Sequence, residues 1–140
     1  MSHFSKNTKV FVTDTAAFVK ACANLGIKGK VTEGEHTITD FYGGKSKVAL
    51  SVKVGNRYDI GLEAAGDGRY QMVGDWMMMK RDLPASMRGY SDEQLQNEIL
   101  KNTTKEAIVS RYESEGFDCN VVEQKTGAIE ITLTRGGSRY

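Results

Sequence analysis

The chain has 140 residues, 39% hydrophobic and 26% charged, which is the composition of one folded domain with a sizeable core and excludes a disordered chain. Nineteen Lys and Arg against 18 Asp and Glu leave a formal charge of +1, which excludes a wholly basic nucleic-acid binder and leaves room only for a local patch. The only cysteines, Cys22 and Cys119, make neither a disulfide framework nor a CxxC metal knuckle.

The first thirty residues are basic, with Lys6, Lys9, Lys20, Lys28 and Lys30 against Asp14. Val10 and Val12 alternate with polar neighbours, as a short strand does. Asp14 then reads as the N-cap of a helix over 15–25, with Phe18, Cys22 and Leu25 on one face and Gly26 as its stop. Segments 27–32 and 36–42 are predicted strands separated by Gly34. Val48, Leu50, Val52 and Val54 alternate with Lys47, Ala49, Ser51 and Lys53, and after Gly55-Asn56-Arg57 the alternation resumes at Tyr58, Ile60, Leu62 and Ala64. Matching apolar with apolar sets Val54 opposite Tyr58 and Leu50 opposite Leu62 across a three-residue loop. The turn Gly66-Asp67-Gly68 leads into 70–76, where Leu62 faces Met72 and, by extension, Tyr58 faces Trp76.

The stretch 76–90 has no clear period and holds four of the six Met, the only Trp and the only Pro, Pro84. Ser91-Asp92-Glu93-Gln94 is a capping box, and Thr103-Thr104-Lys105-Glu106 repeats the signal, predicting one kinked helix or two consecutive helices ending at Gly116. Phe117, Cys119 and Val121 then face Arg135, Leu133 and Ile131 across Lys125-Thr126-Gly127, followed by a loose tail. The expected fold is α+β in a single domain spanning 1–140. It has a mainly antiparallel sheet with a central three-stranded meander, a C-terminal hairpin and two or three helices packed on one face.

The register sets Lys53, Asp59 and Asp75 in one row on the polar face of the meander. Two carboxylates so placed repel unless a cation neutralises them, which offers an acid/base pair, a divalent-metal seat or a solvated face balanced by Lys53 and Arg57. His3 and His36 have no HxxxH or HExxH context. Cys22 and Cys119 sit on inward faces, where burial raises a thiol pKa and leaves it inert. Gly66-Asp67-Gly68 and Gly43-Gly44-Lys45-Ser46 precede strands, not helices, so neither is a standard phosphate cradle. The basic patch of Lys6, Lys9, Lys28 and Lys30 has only Phe4 and Phe11 nearby, and Phe11 is expected to point inward. The Met-rich stretch suits a contact surface, since thioethers re-pack readily and Arg81 and Arg88 complement an anion.

Met1-Ser2-His3-Phe4-Ser5, Tyr58-Asp59-Ile60-Gly61, Asp67-Gly68-x-Tyr70, Gly74-Asp75-Trp76 and the closing Gly116-Phe117 hairpin with Gly127 resemble one group. It is the uncharacterised family named for the conserved hypothetical reading frame number thirty-five of chloroplast genomes, with plastid, cyanobacterial and other bacterial members. The resemblance runs along nearly the whole chain and departs after Trp76, where three Met and a long connection intervene. It implies a cytosolic or stromal, non-secreted protein and carries no activity, cofactor or catalytic residue to this chain.

No apolar run of 18 residues occurs, and the start lacks an apolar core with a cleavage site, so the expected location is the cytoplasm, without membrane contact. The leading expectation is a non-enzymatic binding protein acting through a protein partner or by self-assembly, with no cofactor, no metal and nucleic acid disfavoured. One alternative is a binder of a small anionic ligand such as a nucleotide. The other is an acid/base or metal-dependent hydrolase using Asp59 and Asp75. The contact is expected at Arg57, Tyr58, Trp76, Met79, Arg81, Arg88 and Tyr90, because aromatic, Met and Arg side chains concentrate at the energetic centres of interfaces. Met79→Ala and Arg88→Ala are expected to weaken binding while leaving the melting temperature within a few degrees of that of the wild type.

Overall fold

Local chemistry fixes the helices. The Asp14 carboxylate accepts the Ala17 N–H at 3.0 Å and starts α1 (Thr15–Asn24), and Gly26 follows it with φ +89°. Ser91 starts α3 (Asp92–Ser114) with both halves of a capping box in place. The second box does not form: α3 is continuous, and the Thr103 hydroxyl donates back to Ile99 O at 2.8 Å instead of capping a new helix. The computed structural model describes residues 4–7 and 10–135. His3, Lys9 and the tail 136–140 lie outside the described residues.

The sheet has β1 (Ser5–Lys6), β2 (Val31–Thr39), β3 (Lys45–Val54), β4 (Tyr58–Gly66) and β5 (Arg69–Gly74), all antiparallel, in the order β1-β5-β4-β3-β2. The expected pairs Val54↔Tyr58, Val52↔Ile60, Leu50↔Leu62 and Leu62↔Met72 are all present. A separate hairpin, β6 (Phe117–Glu123) with β7 (Ile129–Arg135), pairs Phe117↔Arg135, Cys119↔Leu133 and Val121↔Ile131 and packs on α3. The fold class is α+β, as the sequence pattern implies.

Several local expectations are corrected. Segments 27–32 and 36–42 merge into β2, whose pairing with β3 shifts between Glu33 and His36 so that Gly34 sits in a bulge. Val12 makes only an isolated bridge to Tyr70, and the N-terminal strand lies earlier, at β1. Val48 leaves the face of Leu50, Val52 and Val54 and joins Ile38, Val73 and Phe4 in a small cluster on the other side of the sheet. That side is apolar at its centre, not wholly polar. It closes over Gly61, where a Cβ would lie 2.6 Å from Val48 Cγ1 and 2.9 Å from Ile38 Cδ1.

The main core lies between the sheet and the helices, with Phe18 and Cys22 from α1 and Leu95, Ile99 and Leu100 from α3 over Val52, Ile60, Leu62 and Met72. The stretch 76–90 is ordered as α2 (Trp76–Met79) and two short 3-10 turns, Lys80–Asp82 and Ala85–Met87. It drives Trp76, Met79, Leu83 and Met87 into that core.

Candidate functional site

Because β5 stops at Gly74 and Trp76 opens α2, the ladder does not extend to Asp59↔Asp75 or Tyr58↔Trp76. The row keeps only its first two members, with Lys53 Nζ 3.4 Å from the Asp59 carboxylate. Asp75 is 1% exposed and accepts the backbone N–H of Phe41 at 2.9 Å. The expected Asp59–Asp75 ladder pair is therefore absent, and each carboxylate has its own partner.

Of the candidate contact residues, Arg57, Tyr58 and Arg81 do come together. The β3–β4 turn and the 3-10 turn Lys80–Asp82 face each other across a cleft of about 350 Å³ lined by Asn56, Arg57, Tyr58, Arg81 and Asp82. Arg57 and Arg81 are exposed, and neither guanidinium is ion-paired among the described residues. Tyr58 is 7% exposed and belongs to the core, so it borders the cleft without offering it an exposed ring. Lys80, next along, is tied to Asp92 at 2.6 Å, which anchors the 3-10 turn to the start of α3.

The other candidates are packing or bracing residues. Trp76 is buried, and its Nε1–H donates to Ser5 O at 3.1 Å, holding β1 in place. Met79 is 0% exposed. Arg88 donates from Nε to Leu83 O at 2.9 Å and stands outside the cleft wall, while Tyr90 packs half-buried on the core.

The family described as Protein of unknown function (DUF1257) matches residues 21–132. The chain belongs to it. The matched span contains every residue of the cleft, both turns that form it and all but the ends of the fold just described. No curated protein matches the chain, and no solved structure does.

In this family member the remaining candidate residues lie outside the wall of that cleft. His36 places its ring nitrogens 2.6 Å from Gly34 O and 2.7 Å from Ser51 Oγ, bridging the β2 bulge to β3. Cys22 is buried and its thiol pKa is pushed up to about 12 by desolvation. Cys119 is only half-buried, where inward burial was expected, and its pKa is raised by desolvation first and then by Glu113 and Asp118. The basic patch is divided: Lys6 pairs with Glu63 at 2.6 Å, whereas Lys28 and Lys30 are exposed. Phe11 lies at the surface under Arg69, with Cζ 4.5 Å from the ring centroid, and does not point inward. Among the described residues no group of three His, Cys, Asp or Glu is placed to hold a metal ion, and no helix is long and apolar enough to cross a membrane.

Sequence reasoning missed Asp82 as a wall of the cleft and missed the lock on the β2–β3 turn. There the Asp40 carboxylate accepts N–H groups from Tyr42 at 3.0 Å, Gly44 at 2.7 Å and Phe4 at 3.2 Å. The signal for that lock was present, since Asp followed by a Gly-Gly pair marks a side-chain-stabilised turn.

Proposed function

We propose that this protein is a binding protein that holds an anionic group between Arg57 and Arg81. The observation that supports the reading is that two exposed arginines, free of ion pairs among the described residues, line one cleft together with Asn56 and Asp82. A guanidinium offers a planar fork of donors matched to phosphate and carboxylate oxygens. Left unpaired on converging walls, two of them form an anion site before any ligand arrives. The resemblance to plastid and cyanobacterial proteins supports placing it in the cytoplasm or plastid stroma.

The test is amide chemical-shift mapping during titration with inorganic phosphate. Saturable shifts at residues 55–58 and 80–82, abolished in the double variant Arg57→Gln/Arg81→Gln, support the site. Shifts that do not saturate, or that gather away from the two turns, overturn it.

A second reading, self-assembly or docking on a protein partner, has its own support in the C-terminal hairpin. Val121, Val122 and Leu133 are 39%, 45% and 37% exposed there, and Ile108 on the adjoining face of α3 is 37% exposed. A two-stranded sheet with both edges open gains stability from a further strand. Sedimentation of the wild type against Leu133→Asp tests it. A hydrolase using Asp59 and Asp75 has the least support, because one carboxylate is paired with Lys53 and the other holds the Phe41 N–H.

A further inference from the structure

The arginine cleft has a neighbour. Asp82 is shared with a notch of about 70 Å³ whose walls are Gly26, Ile27, Lys28, Gly29, Lys53, Val54, Gly55 and Pro84. Lys28 reaches this notch because the segment after α1 is pressed onto β3. A Cβ on Gly29 would overlap the Lys53 carbonyl oxygen, and the Lys53 N–H donates to Lys30 O at 2.9 Å. Four basic residues, Arg57, Arg81, Lys28 and Lys53, thus line two adjoining depressions, against one lining carboxylate, Asp82. Asp59 is engaged by Lys53. Asp82 is exposed, packs against Gly55, and its carboxylate makes no hydrogen bond or ion pair among the described residues.

Resting on the anion-binding reading, we infer that the ligand carries two linked phosphates, one between Arg57 and Arg81 and the second over the notch toward Lys28. Charge complementarity carries the inference. A single phosphate satisfies the guanidiniums but leaves Lys28 without an anion, whereas a diphosphate brings a second anion to the adjoining depression. Asp82, on the shared wall, is the group such a ligand must approach, and its charge sets an upper limit on affinity. The cleft offers no exposed aromatic ring, Tyr58 being 7% exposed, so a nucleobase finds no stacking partner there. The recognised chemistry is therefore the diphosphate itself, whether it comes as pyrophosphate or on a nucleoside.

Calorimetric titration of the full chain with inorganic phosphate, pyrophosphate and ADP tests this at low ionic strength, where such contacts are least screened. Pyrophosphate is expected to bind about tenfold tighter than phosphate, the size of one added charge-assisted contact, with ADP no tighter than pyrophosphate. Lys28→Gln should shrink the pyrophosphate-to-phosphate ratio toward one, and Asp82→Asn should tighten pyrophosphate binding severalfold. Equal affinities for phosphate and pyrophosphate, unaltered by Lys28→Gln, overturn the diphosphate inference and leave the arginine cleft standing. Failure of all three ligands to bind overturns both. ADP binding far tighter than pyrophosphate also overturns the inference, since the base would then be what is read.

Discussion

The carboxylate of Asp75, 1% exposed at the end of β5, accepts the backbone N–H of Phe41 in the turn between β2 and β3 at 2.9 Å. It joins two parts of the chain 34 residues apart. Asp40, 8% exposed, tightens the same turn from within, so Phe41 and Tyr42 stand out from a fixed backbone with their rings edge to face at 5.1 Å. Hydrogen bonds to a charged acceptor contribute roughly 1.5–3 kcal/mol each when both partners are held.

Asp75→Ala should therefore destabilise the protein by about 1–3 kcal/mol and lower amide protection at 41–44 more than at the centre of β4. Asp75→Asn keeps a carbonyl acceptor and should recover part of the loss. Calorimetric unfolding with amide exchange checks both. Equal loss of protection in β4 and in the turn would contradict a local lock.

Gly61 supports a different prediction, about close approach. Its missing side chain admits Val48 and Ile38 to the second face of the sheet, and Val48 is branched at Cβ and stiff there. Gly61→Ala should cost about 1–3 kcal/mol through overpacking. Val48→Ala in the same chain removes the clashing methyls, so the double variant should be more stable than the sum of the two singles predicts. Additive effects in the thermodynamic cycle would contradict the contact.

The difference between what the sequence revealed and what it concealed follows from the range of the interactions. The register of Leu50, Val52 and Val54 with Leu62, Ile60 and Tyr58 is legible because one loop joins the strands and a slip of one residue exposes every apolar side chain. The C-terminal hairpin is legible for the same reason. The fate of Asp75 is not, because alternation continues through Trp76 and only the tertiary pull of the core on Trp76 and Met79 ends the strand at Gly74. Val48 likewise keeps the parity of Leu50 in sequence and loses it at an irregularity in pairing with β2. In the candidate site, Arg57 and Tyr58 flank a turn that alternation locates. Arg81 reaches them only because Met79 and Leu83 on either side are buried, which a stretch without a period does not reveal.

Lys101 ties the hairpin to α3, with its ammonium 2.8 Å from the Glu123 carboxylate and 3.4 Å from Gly127 O. The hydrogen bond from Lys101, and then its charge, hold Glu123 below its ordinary 4.5. The bond to Glu123, opposed by desolvation and reinforced by Glu98, holds Lys101 above 10.5. A lowered carboxylate pKa adds stability above 4.5 that is lost as pH falls through the lowered value. A raised ammonium pKa adds stability below 10.5 that is lost as pH rises through the raised value. Protection factors in β6 and β7 should therefore fall, relative to those in α3, as the solution is acidified below pH 4.5. Glu123→Gln should remove that dependence. A wild-type profile indistinguishable from that of Glu123→Gln would contradict the tie.

Met79 and Arg81 are two residues apart and should separate stability from binding. Met79 is enclosed by the core, and its truncation leaves a cavity among Trp76, Leu83 and the strands. The expectation that Met79→Ala spares the fold therefore gives way to one of about 2–5 kcal/mol lost, with a fall in melting temperature of roughly 10 °C or more. Arg81 is exposed on the cleft wall and holds no ion pair among the described residues, so Arg81→Gln should shift the melting temperature by no more than a degree or two. Met79→Ala, assayed well below its lowered transition, should bind phosphate like the wild type, because its side chain does not line the cleft. Arg81→Gln should weaken phosphate binding about tenfold, the loss of one charge-assisted contact. The decisive comparison is therefore crossed: one variant loses stability and keeps binding, while the other keeps stability and loses binding. If Arg81→Gln binds phosphate as the wild type does, the guanidinium is a solvated surface charge and the cleft is not an anion site.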